Sequence, residues 1–175
     1  MTDQVLLDTA DRLFRDHCDK ERWDSAERGE FPEALWQALK DNGFADMALP
    51  NSGFELTDLF AILRIAGQHA APLPLAEFLL GARWTGQSAE RVSIGVAAPS
   101  GARDVPWGRA VAQVLLLPDE AHLGDALTDE VALAVLAVDP EQCDLATNIA
   151  GEPRDAVHGR SEGTVSAEAP YALLT

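Results

Sequence analysis

The sequence predicts an α+β fold, a four-helix N-terminal domain followed by a small, mainly antiparallel β domain. Three observations predict it. Apolar residues recur every three to four positions through the first half. From about Arg91 the pattern changes to short runs rich in β-branched residues, separated by Pro, Gly and Asp. The helical and β patterns are segregated along the chain rather than alternating. The predicted boundary divides residues 1–88 from residues 89–175, and the 175-residue length suits one ordinary domain or two small ones.

The first helix is expected over about residues 3–20, where Leu6, Ala10, Leu13 and His17 share a face and Thr2 or Asp3 can cap. KERWDSAERGE follows as a charged connector. The second helix begins at Pro32, whose missing N–H costs nothing in the first turn. Leu35, Trp36 and Leu39 form its stripe, and Gly43 suits a left-handed stop. FADMALP then runs extended to Pro50. Thr57 is the expected cap of the third helix, with Leu59, Ile62, Leu63 and Ala66 facing inward and Pro72 as its end. The fourth helix is expected from Leu75 to Thr85, with Leu75, Phe78, Leu79 and Ala82 in register. VSIGVAA, VAQVLLL and VALAVLAV read as strands. The last is apolar on both faces and is expected at the sheet centre, covered on both sides.

Charge restricts the partners. Thirteen basic and 29 acidic side chains give a net charge of −16, which repels nucleic acid and anionic membrane. No run reaches the roughly 18 apolar residues of a membrane span. The N-terminus carries acids where a signal peptide carries bases, so a cytoplasmic location is expected. Cys18 and Cys143 lie far apart without metal-ligand spacing, so neither a disulfide nor a metal site is expected. The sequence leaves a Ser/His/Asp triad open, but His17, His69, His122 and His158 make no local signature of one. The acidic pairs Asp119/Glu120, Asp129/Glu130 and Asp139/Glu141 read as turn formers. The loop DVPWGRA, with Trp107 and Arg109, reads either as the lining of a ligand cleft or as a cap on the sheet's end.

One stretch carries more. FPEALWQALKDNGFADMALP, residues 31–50, resembles the N-terminal helical domain of the acyl-CoA dehydrogenase family, with its Phe-Pro-x-x-Leu-Trp-x-x-Leu helix, glycine stop and exit to a proline. TDLFAILRIAGQHAAPLPLAEFLLGARW is similar to the next two helices of members linked to steroid and branched acyl-CoA degradation. NIAGEPRDAVHG, residues 148–159, is similar to a segment late in the family's β domain. The resemblance implies an FAD-dependent oxidoreductase of lipid metabolism that oxidises an acyl-CoA thioester between its α and β carbons. It implies Ala97, Ser100 and Gly101 near flavin, in a loop AAPSG that puts Ala97 where the family often has a flavin-bonding threonine. It implies Leu75 and Phe78 near the acyl chain and Arg109 near a phosphate. No catalytic residue is expected in this chain. EAPYALLT, residues 168–175, stands about where the family's C-terminal helical domain begins, so the catalytic base would come from that domain or from another dehydrogenase-like subunit. Inactivity in isolation is expected, as is assembly with such a subunit or as a homo-oligomer. The alternative is a non-catalytic binding or assembly module without flavin.

Overall fold

Asp3 opens the first element. Its carboxylate accepts the Val5 N–H at 2.9 Å, and the chain turns into α1, Gln4–His17. The computed structural model describes residues 3–88, 91–117 and 130–168. It falls into two units, Met1–Ala89 and Glu90–Thr175.

The first unit holds five helices, one more than the periodicity predicts. The charged connector is itself helical, as α2, Lys20–Glu27. It has almost no apolar stripe and buries only Ala26. Side chains fix it instead. Asp19 accepts the Arg22 N–H at 3.0 Å, Lys20 pairs with Asp24 at 2.6 Å, and Arg22 pairs with Asp19 at 2.7 Å. Trp23 anchors it by donating its indole N–H to the Ala70 carbonyl at 3.0 Å.

α3, Glu33–Asp41, buries Leu35, Trp36 and Leu39. It stops where Gly43 takes a left-handed φ of 76°. FADMALP is not extended. It coils into a 3₁₀ turn, Phe44–Asp46, because Phe44, Ala45, Met47 and Ala48 are all buried and a tight coil turns them inward together. α4, Leu56–Gln68, is capped by Glu55 rather than Thr57, and the Asp58 carboxylate accepts the Glu55 N–H at 3.1 Å. It ends four residues before Pro72, with Ala70 left-handed at φ 46°. α5 is Leu75–Thr85. Phe14, Leu35, Leu39, Met47 and Ile62 form the core of this unit.

The second unit is a seven-stranded sheet in the order β5-β6-β2-β1-β3-β4-β7. Its strands are β1 Val92–Ala98, β2 Gly101–Pro106, β3 Gln113–Leu117, β4 Glu130–Ala137, β5 Cys143–Asp144, β6 Arg154–His158 and β7 Ser161–Glu168. Among the described residues only β1 and β3 pair in parallel. The apolar strand β4 is not central. It lies one strand from the edge, between β3 and β7, and Ala132 is exposed, so its two faces are not both covered. β2 bulges at Arg103 and Asp104, with Asp104 left-handed at φ 57°, and resumes pairing with β6 at Val105. The buried Ser93 hydroxyl donates to the Pro106 carbonyl at 2.8 Å and ties the end of β2 to β1. Asp119, Glu120, His122 and Asp129 lie outside the described residues.

His69, at the end of α4, bonds through Nε2 to Asp11 of α1 at 2.8 Å, and Arg15 pairs with the same carboxylate. The His69 bond first, and Arg15 second among favourable causes, hold the Asp11 carboxyl below its usual range. A depressed carboxylate pKa gives stability that is present above the ordinary value, about 3.9, and lost as pH falls through the folded value. Asp11→Asn is therefore expected to lower the melting temperature at neutral pH. The gap from the parent chain should close below about pH 4.

Candidate functional site

Two clusters of polar side chains converge on β6. The first is buried. The Asp155 carboxylate is completely enclosed and accepts four donors. They are the Arg109 backbone N–H at 2.8 Å, Arg109 Nε at 3.0 Å, Arg109 Nη2 at 2.5 Å and the Ala146 N–H at 3.2 Å. Arg109 Nη2 also donates to the Ala146 carbonyl at 3.1 Å. The turn Gly108–Ala110 that carries Arg109 follows Trp107, itself buried and left-handed at φ 54°. DVPWGRA is thus fastened onto β6 and the β5–β6 connection. Arg109, expected near a phosphate, is committed to Asp155.

The second cluster lies at the β1–β2 turn. Gly101 is at φ 147°, and a Cβ there would stand 2.1 Å from the Val157 carbonyl oxygen, so only glycine lets the turn lie this close to β6. The Gly159 N–H donates to the Ser100 carbonyl at 3.0 Å. The Ser100 hydroxyl lies 3.1 Å from His158 Nδ1, and His158 Nε2 lies 2.8 Å from Asp144 Oδ2. The serine, histidine and aspartate come from the β1–β2 turn, the end of β6 and the edge strand β5. Sequence reading picked out Ser100 but missed His158 and Asp144. They stand 58 and 14 positions from their respective partners, and no local motif signals the pairing.

The remaining expected residues are dispersed. Ala97 is half-buried in β1 and pairs with Ala102. Leu75 and Phe78 belong to the helical core, each 3% exposed. Phe78 packs against Trp36 edge-on at 5.1 Å and against Phe31 at 6.1 Å. Ala97, Ser100 and Gly101 offer a flavin few side-chain contacts in this arrangement. Ala97 has no polar side-chain atom. The Ser100 hydroxyl is bonded to His158. The space left by the absent Gly101 side chain is filled by the chain's own carbonyl rather than open to a ligand.

Burial, with Asp19 second, pushes Cys18 up to about 11. Burial, then Asp155 and Asp139, also raises Cys143. Both stay protonated near neutrality. Among the described residues no group of three His, Cys, Asp or Glu side chains could hold a metal ion, and no helix is long and apolar enough to cross a membrane.

Removing one partner of a buried ion pair leaves the other uncompensated, at a cost of about 3–5 kcal/mol. Asp155→Ala should lose that much stability in urea denaturation. Arg109→Met combined with Asp155→Leu should recover only part of it, because the Arg109 and Ala146 N–H groups still lack their acceptor.

No family model matches the sequence, and no curated protein matches it. Solved structures do. A variant of the Tcur3481-Tcur3483 steroid ACAD is similar over 97% of this chain and 57% of its own, with 19% identity and a TM-score of 0.66. The ChsE4-ChsE5 complex from Mycobacterium tuberculosis is similar over 99% of this chain and 59% of its own, with 14% identity and a TM-score of 0.67. The HsaA monooxygenase from M. tuberculosis follows at 13% identity and a TM-score of 0.53, over 95% of this chain and 53% of its own. The chain spans less than two thirds of each of these relatives. Helices followed by a mixed sheet, matched over nearly all of the chain, give it an acyl-CoA dehydrogenase-like fold.

Proposed function

We propose that this chain is the dehydrogenase-like subunit of a two-component assembly acting on an acyl-CoA thioester. A second dehydrogenase-like chain supplies the flavin site and the catalytic base. The observation that carries this reading is the likeness over nearly the whole chain to two structures whose names each join two components, one of them a steroid ACAD. That name favours a steroid acyl group as the substrate class. The self-occupied β1–β2 turn supports placing the flavin contacts elsewhere, since Ser100 and Gly101 are already engaged within the chain.

When bound to the assembly, flavin would accept the hydride from the β carbon. Within this chain, the α3 and α5 side chains, Phe78 and Leu75 included, form a rigid apolar wall that orients the helices rather than touching the acyl group. Arg109 holds the Trp107 turn in place and takes no part in binding phosphate.

The test has two arms. The chain purified alone, mixed with FAD and freed of excess, should show no flavin band in its visible spectrum. Co-expressed with an acyl-CoA dehydrogenase-like chain from the same source, it should co-elute in a flavin-containing complex. A near-stoichiometric band on the isolated chain would overturn the assignment of flavin to the partner. Separate elution of the two chains would overturn the assembly.

A further inference from the structure

We propose that Ser100 is an acyl-acceptor serine, with His158 as its base and Asp144 as the residue that positions the imidazole. Activated esters and thioesters are the substrate class. The hydrogen-bond directions fit. With the proton on His158 Nε2, the ring donates to Asp144 Oδ2 at 2.8 Å. Its bare Nδ1 then accepts the Ser100 hydroxyl at 3.1 Å. The order is nucleophile, base, orienting carboxylate, as hydroxyl activation requires.

The backbone that carries the pair is locked. Gly101, next to Ser100, is pressed onto the Val157 carbonyl, and Gly159, next to His158, donates to the Ser100 carbonyl. A side chain at Gly159 would stand 2.8 Å from Leu136 Cδ1, so a larger residue there would require the end of the Leu136 side chain to shift. Asp144 is held in register by pairing with Ala156, two residues before His158 on the same strand. Preorganisation of this kind separates a reactive hydroxyl from an ordinary surface serine.

In the step, Ser100 Oγ attacks the carbonyl carbon while its proton passes to His158 Nδ1. The bond from that carbon to the leaving sulfur or oxygen breaks, and the leaving group takes the proton from the imidazolium. The serine ester remains until water releases the carboxylic acid. The His158 and Asp144 side chains are 40% and 79% exposed, so water competes for both bonds. The expected chemistry is slow single acylation without chain-length selection. It needs neither a partner chain nor flavin.

The test uses the full chain with p-nitrophenyl acetate and a fluorophosphonate probe, read by intact mass and peptide mapping. One adduct is expected, on Ser100. Ser100→Ala should abolish it, while Ser161→Ala, another exposed serine, should leave it intact. His158→Gln should slow acylation by about a hundredfold, the low end for general-base catalysis. Asp144→Asn should lower the acylation rate constant only about two- to fivefold, as for an exposed pair, with Asp144→Glu restoring it. Unchanged melting temperatures would show that each variant is folded. No adduct, an adduct elsewhere, or equal rates in the parent and His158→Gln would overturn the proposal.

Discussion

The β unit depends on one buried carboxylate. Asp155 lies in β6, but its four donors come from the turn after β2 and from the connection leaving β5. An isolated ion here would be intolerable, and the Arg109 guanidinium reaches both of its oxygens. The two backbone N–H groups complete the shell, so that three segments distant in sequence are fixed to one another at a single point. The bidentate guanidinium suits this role as a lysine would not, because its fork meets both carboxylate oxygens in one plane. The Ser100–His158–Asp144 chain lies on strands that this point holds together.

What was legible in the sequence was what periodicity and punctuation encode. α5 and β1 were readable to their ends, since Leu75, Phe78, Leu79 and Ala82 repeat at helical spacing and VSIGVAA is bounded by Arg91 and Pro99. α2 was hidden because its stability comes from Asp19, Lys20, Arg22 and Asp24 rather than from an apolar stripe. FADMALP misled because a buried 3₁₀ coil and a buried strand present the same apolar composition. The apolar run in β4 suggested a central strand, yet small exposed residues such as Ala132 tolerate a bare face. Ser100 was picked out only through the resemblance of AAPSG to a flavin loop, in a different role. Its partners could not be picked out, because contacts across three strands leave no trace in local spacing.

The fold does not choose the chemistry. The same architecture is shared with a structure named as a steroid ACAD and with one named as a monooxygenase. What this chain does is therefore decided by side chains at particular positions. Here the loop expected to meet a cofactor is closed on itself by Gly101 and His158. Both cysteines are kept protonated by burial.

The strand order has a kinetic meaning. β6 pairs with β2 across the intervening residues 107–153, with Gly101 facing His158 in the register. Such non-local pairing carries the largest loop-closure entropy and forms late. The β1–β2 hairpin, by contrast, closes between neighbours. On these grounds the hairpin that carries Ser100 is expected to close before His158 and Asp144 reach it. The serine gains its base only when the most distant strand has docked, so its chemistry marks completed folding rather than partial order.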